Sequence, residues 1–210
     1  MEASANVVVY VGMPFAGKTS NLLVLRNTSM PPLPELISIM VEDSGRVLTM
    51  MVNAESLPPG ARKQAASAGA AFRLISAIGV HSKPAVIEST VRRAQGIVLV
   101  VDARRQLVLE NLRAYRALIA TLARGGLTLQ PPPGPAASFP GALPRVPWVV
   151  QLNRHDYLDC MSEADVRELL WLPQDVPVIA ANTRSGAGVH ETFDAMCQRI
   201  IASSAGPGKA

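Results

Sequence analysis

Val7-Val8-Val9-Tyr10-Val11 runs directly into Gly12-Met13-Pro14-Phe15-Ala16-Gly17-Lys18-Thr19, and this junction decides the fold. The octapeptide satisfies G-x-x-x-x-G-K-[ST], the phosphate-binding P-loop, in its required setting between a buried strand and a helix. The chemistry explains the spacing. Gly12 and Gly17 let the backbone, with Phe15 and Ala16 between them, wrap closely enough to aim several N–H groups at one phosphate. Lys18 supplies a mobile positive charge for the outer phosphates and Thr19 a hydroxyl for Mg²⁺. Ser20 continues into the helix, whose N-terminal dipole also favours an anion.

Working outward, residues 20–26 read as a short helix that Pro31-Pro32-Leu33-Pro34 breaks. Ile37-Ser38-Ile39-Met40-Val41 reads equally as a strand or a connection, because periodicity cannot decide at this length. Arg46 to Val52 reads as a strand, residues 54–70 as a hairpin loop, and Phe72-Arg73-Leu74-Ile75-Ser76 as the next strand. A helix is expected over 84–95. Ile97-Val98-Leu99-Val100-Val101 is continuously apolar, as in a parallel strand covered on both faces. Leu107 to Leu122 has helical spacing and stops at Gly125-Gly126. Residues 130–147 are proline-rich and read as an irregular excursion. Trp148 to Leu152 is the next strand, and Ser162 opens a capped amphipathic helix. Val178 to Ala181 is the last strand, and Val189 to Ile201 the closing helix. The alternation predicts an α/β fold, a mostly parallel central sheet with helices on both faces. One domain over 1–202 with a C-terminal tail over 203–210 is expected.

The chain has 210 residues, 49% of them hydrophobic and 17% charged, which suits a packed core rather than disorder. No apolar run is long enough to span a bilayer, and no secretory leader is expected. Cys160 and Cys197 match neither a disulfide framework nor a metal pattern, so a reducing cytoplasm is the expected compartment. The net charge of +4 permits an acidic partner. Its basic residues are scattered, however, and predict solvated surfaces rather than a nucleic-acid groove.

Asn153-Arg154-His155-Asp156 follows the Trp148 strand and fits N-[KR]-x-D, a guanine-reading pattern. An Asp carboxylate at 156 can accept from both N1–H and the N2 amino group of guanine, whereas adenine offers an acceptor at N1. Asn153 would bond the base and tie neighbouring loops, and the aliphatic stem of Arg154 would lie beside the ring. Ala181-Asn182-Thr183-Arg184-Ser185-Gly186 follows the last strand, where Asn182 and Thr183 can bring backbone N–H groups to the base. Together with Lys18-Thr19-Ser20-Asn21-Leu22, Ile37-Ser38, Asp102, Glu110-Asn111-Leu112 and Gly186-x-Gly188-Val189, these residues resemble the bacterial MglA family of Ras-like GTPases. The resemblance runs from Val7 to Ile201. It implies a Ras-like P-loop fold, GTP and GDP with Mg²⁺ as ligands, hydrolysis of GTP to GDP and phosphate, and a role as a polarity switch in gliding motility. It also implies protein partners, including a roadblock-fold co-GTPase, bound through switch-like regions near 35–50 and 76–92.

The hydrolytic parts depart from the family. Where it has T-x-P-G-Q, this chain has Ser76-Ala77-Ile78-Gly79-Val80. Gly79 can still meet a γ-phosphate, but Val80 has no polar atom with which to orient water. Val41 stands where a Mg²⁺-binding Thr is expected, and Thr49 is too far along its strand to replace it. Arg46 is the nearest match to the family's arginine finger, displaced by one residue. Pro14 removes one loop N–H. Phosphoryl transfer depends on positioning and electrostatics, so slow or absent hydrolysis is expected. A pseudo-GTPase scaffold is one alternative. An ATP-dependent phosphotransferase using Asp102 as Mg²⁺ ligand is another, although a structural role for Asp102 is favoured.

Overall fold

The computed structural model describes residues 5–29, 36–41, 45–56, 62, 71–76, 84–130 and 144–204. In chain order the elements are β1 (Asn6–Val11), α1 (Lys18–Thr28), β2 (Ile37–Val41), β3 (Gly45–Val52), β4 (Phe72–Ser76), α2 (Pro84–Val91), β5 (Gly96–Asp102), α3 (Val108–Arg124), β6 (Thr128–Gln130), β7 (Arg145–Asn153), α4 (Glu163–Leu170), β8 (Val178–Ala181) and α5 (Val189–Ser204). The fold is α/β, with a mixed but mostly parallel central sheet.

The sheet runs β2-β3-β4-β1-β5-β7, after which β6 and β8 share the outer edge of β7. β4, β1, β5, β7 and β8 are mutually parallel. β3 is antiparallel to both β2 and β4. Pairing along β1 sets Tyr10 against Ser76 on one side and Val98 on the other.

Strand side chains alternate between faces, and the two cores follow from that period of two. Val8, Tyr10, Val98 and Val100 join Leu22 and Leu25 of α1 and Phe193, Met196 and Ile200 of α5. Val9, Val11, Ile97, Leu99 and Val101 join Val91 of α2, Leu118 and Leu122 of α3, and Val166 and Leu170 of α4. Each fully buried aliphatic side chain of this kind is worth about 1.5–3 kcal/mol over exposure. Trp148 is wholly buried and stacks on Tyr115 with ring centroids 6.1 Å apart. α4 opens as its sequence predicts. The Ser162 hydroxyl accepts from Asp165 N–H, and the Asp165 carboxylate accepts from Ser162 N–H, a reciprocal cap.

Three sequence expectations change and one that was open is settled. α1 covers 18–28 rather than 20–26, beginning at the P-loop lysine itself. The helix expected over 84–95 ends at Val91. The 37–41 segment is a strand, because Gly45 to Thr49 offers it a complete antiparallel ladder. β7 begins at Arg145, not Trp148, because Thr128–Gln130 pairs with its first three residues. Pro147 is tolerated there since the ladder to β5 starts only at Trp148. Most of the 54–70 loop and of the proline-rich stretch, and the tail from 205, lie outside the described residues. Among the described residues, no helix is long and apolar enough to cross a membrane.

Beneath the first core runs a polar seam. Asn21 and Gln151 exchange carboxamide bonds of 2.7 and 2.8 Å, and Gln151 also donates to Thr192 Oγ1 at 3.0 Å. All three residues are shut off from water. Gln151→Leu leaves Asn21 and Thr192 without these partners and is expected to cost about 2–4 kcal/mol, a loss that urea denaturation would measure.

Candidate functional site

The parallel strands end along one edge of the sheet, at Val11, Ser76, Asp102, Asn153 and Ala181. In open α/β sheets the crevice beyond these carboxyl ends is where ligands bind. The P-loop, Asn153 to Asp156 and Asn182–Thr183 each follow one of these strand ends.

The P-loop conformation depends on its glycines. Gly12 has φ 150°, and a Cβ there would come within 2.2 Å of the Val100 carbonyl oxygen. Gly17 has φ 105°, and a Cβ there would lie 2.3 Å from Asn153 Nδ2. Phe15 also takes a left-handed backbone, φ 63°. Its ring is exposed while Ala16 is buried. Lys18 folds back over the loop, donating from Nζ to the carbonyls of Gly12 at 3.2 Å and Met13 at 2.7 Å. Only 7% of Lys18 is exposed, and burial lowers its pKa from the usual 10.5 to about 8. These partners are neutral carbonyls rather than a carboxylate, so its charge suits an incoming anion.

Thr19 Oγ1 lies 3.1 Å from Ser76 Oγ, joining the start of α1 to the end of β4. These two hydroxyls are where a phosphate-bound Mg²⁺ would find protein oxygens. Neither carries charge, so the phosphates themselves would supply most of its affinity. Among the described residues no cluster of His, Cys, Asp or Glu could hold a metal alone.

Asn153 is completely buried. Its Nδ2 donates to Ala16 O at 2.7 Å and Thr183 Oγ1 at 3.3 Å, and its Oδ1 accepts from Thr183 N–H at 3.0 Å. The loops after β1, β7 and β8 are thus tied together, as the sequence predicts for this residue. Asn182 shapes the third loop by accepting from Arg184 N–H at 2.8 Å. For Arg154 the expectation concerns the stem and leaves the position of the head open. Its guanidinium is anchored at both ends, to Asp102 Oδ2 at 2.9 Å and to Phe15 O at 3.0 Å.

Asp102 is itself fully buried and also takes a two-pronged pair from Arg104 at 3.0 and 2.9 Å. A carboxylate held this way is occupied as a structural counter-ion and is not free to ligate Mg²⁺.

A cavity of about 860 Å³ is lined among others by Ser20, which follows the P-loop, and by Arg154, Asp156, Asn182 and Thr183. Asp156 is exposed, so its carboxylate is accessible to a ligand. Arg104, Gln106, Tyr157 and Arg184 complete the wall without having been picked out as site residues from sequence. Arg104 sits two residues past the strand-end Asp102 and its guanidinium lies 5.7 Å from the Tyr157 ring centre. That proximity has no local sequence signal, since 53 positions separate Arg104 from Tyr157 along the chain. Of the remaining candidates, Val41 pairs with Gly45 at the end of β2, and Arg46 pairs with Met40 in β3. Gly79 and Val80 lie outside the described residues.

No protein-family model matches the chain, and no curated protein matches it.

The buried Lys18 has a pH signature. Its pKa is lower folded than unfolded, so between about pH 8 and 10.5 the unfolded chain binds more protons and this group's contribution to stability rises with pH. Below pH 8 both states are protonated and the burial cost is fully felt. The stability of wild type minus that of Lys18→Met is therefore expected to climb across this window, by up to about 3 kcal/mol. Denaturant midpoints of the two proteins at pH 7, 8, 9 and 10 would check it; a flat difference would contradict it.

Proposed function

We propose that this protein binds guanine nucleotides as a Ras-like small GTPase similar to MglA, holding GTP or GDP while cleaving GTP slowly or not at all. The observation that carries the reading is convergence. Asp156 and the Asn182–Thr183 loop line one cavity together with Ser20, and Asn153 bonds both the P-loop at Ala16 and the third loop at Thr183. Lys18 and the α1 N-terminus suit phosphates at one side, and Asp156 suits the donor edge of guanine at the other. Mg²⁺ would rest on the phosphates and Thr19. The sheet order β3-β4-β1-β5-β7-β8, with β3 antiparallel, supports a Ras-like arrangement, β2 being added at its edge.

Two features weaken hydrolysis. Val80 supplies no group to orient water, and Pro14 removes a donor beside the phosphates. The role of a polarity switch, the cytoplasmic setting, and partners at 35–50 and 76–92 rest on the resemblance. A nucleotide-bound or nucleotide-free scaffold is the second reading. It is favoured by the bonds from Lys18 to Gly12 and Met13 and from Arg154 to Phe15, which brace the loop internally. The ATP-dependent phosphotransferase reading loses its Mg²⁺ ligand, because Asp102 is committed to two arginines.

Lys18→Ala is expected to weaken all nucleotide binding, and Asp156→Ala to weaken GTP at least about 100-fold while leaving ATP unchanged. Calorimetry with both nucleotides checks this; unchanged GTP affinity in Asp156→Ala would contradict the guanine assignment. Phosphate release by the wild type should stay at or below the intrinsic Ras rate of about 10⁻⁴ per second. Turnover near that of an activated GTPase would contradict the slow-hydrolysis reading.

A further inference from the structure

We propose that Asp102 and Arg104 are positioning residues, which act through Arg154 to hold the P-loop and the 153–157 loop as one rigid frame. The consequence for nucleotide retention rests on the guanine-nucleotide reading above; the frame itself does not.

Asp102 is the terminal residue of β5, and its backbone is fixed first. Its N–H donates to Asn111 Oδ1 at 3.1 Å, and its carbonyl accepts from Asn111 Nδ2 at 2.8 Å. The carboxylate is therefore presented from a stationary point. Oδ1 accepts from Arg104 N–H at 3.2 Å and Arg104 Nε at 3.0 Å. Oδ2 accepts from Arg104 Nη2 and Arg154 Nη1, both at 2.9 Å. One arginine would suffice to neutralise a buried carboxylate. The second carries the connection onward, since Arg154 Nη2 donates to the Phe15 carbonyl in the P-loop.

The two residues joined by that last bond are both left-handed. Phe15 and Arg154 each have φ 63° without being glycine, a conformation that costs roughly 1–3 kcal/mol and persists only where surroundings over-determine it. Arg154 is fixed by its bond to Asp102, and Phe15 by its bond to Arg154. Arg104 adds a second hold on the same loop through its position over Tyr157. Both guanidinium side chains stay partly in water, 27% and 29% exposed. Their remaining hydration limits the cost of bringing three charges together. Without the carboxylate, two like charges face each other and the hold that Arg154 gives both loops is lost.

The test uses the full chain and Asp102→Asn, which keeps the shape and removes the charge. In protein without added nucleotide, amide hydrogen exchange should accelerate at least about tenfold in peptides covering 12–18 and 153–158, while α5 is unchanged. Dissociation of a fluorescent GDP analogue should also accelerate at least about tenfold. In an Arg154→Ala background, the same Asp102→Asn change should add less than about twofold in the 12–18 peptides, because the route to the P-loop through Arg154 is already cut. Should Asp102→Asn fold poorly, Arg154→Gln breaks the connection from its partly exposed end and should loosen the same two peptides. Faster exchange spread evenly over the chain, unchanged exchange in the two loops, or full additivity of the two substitutions would each overturn the proposal. If the wild type binds no GDP analogue, the nucleotide reading fails while the exchange data still decide the frame.

Discussion

The carboxamide of Asn153 is closed off from water, and its bonds go to Ala16 and to Thr183. A buried amide left unpaired costs about 1–3 kcal/mol, so the loops after β1, β7 and β8 cannot drift apart independently. That constraint explains neighbouring choices. The Asn153 amide passes so close to Gly17 that a side chain there has no room. Ala16 is small and buried beneath it. Shape at the P-loop is thus set partly by a residue 137 positions away.

Below this junction the sheet does the coarse positioning. Five parallel strands finish at one edge because their registers align Tyr10 with Ser76, Val11 with Leu99, and Asp102 with Asn153. The seam of Asn21, Gln151 and Thr192 ties α1 to β7 and α5. It keeps the helix dipole aimed into the same crevice. Polar groups then do the fine positioning, with Lys18 committed to loop carbonyls and Asp102 to two arginines. Charge is distributed in a way that fits an anion on one side and a hydrogen-bond donor edge on the other.

Much of this was legible in local sequence. The P-loop, the unbroken apolar run of β5 and the Ser162 cap each depend on residues within a few positions of one another, where spacing carries the physics. Other features depend on pairs far apart. β6 is three residues long and gains strand character only from its partner in β7. Segment 37–41, ambiguous when read alone, is settled by its hairpin ladder with the neighbouring β3. Arg154 was expected to lie with its stem beside a base, and that leaves open where its head goes. The answer depends on Asp102 and Phe15, which reach it only through folding. Arg104 carries no motif at all, and its importance comes from a carboxylate two residues earlier that happens to be buried.

The central claim is that Asp156 reads guanine while Lys18 and the P-loop hold phosphate. Equilibrium competition tests it most directly, with unlabelled GTP and ATP each displacing a fluorescent GDP analogue from the wild-type protein. The account predicts half-displacement by GTP at a concentration at least about 100-fold below that of ATP, as expected where a site pairs with specific donors. Equal displacement by the two nucleotides, or no binding of the GDP analogue at all, would contradict it.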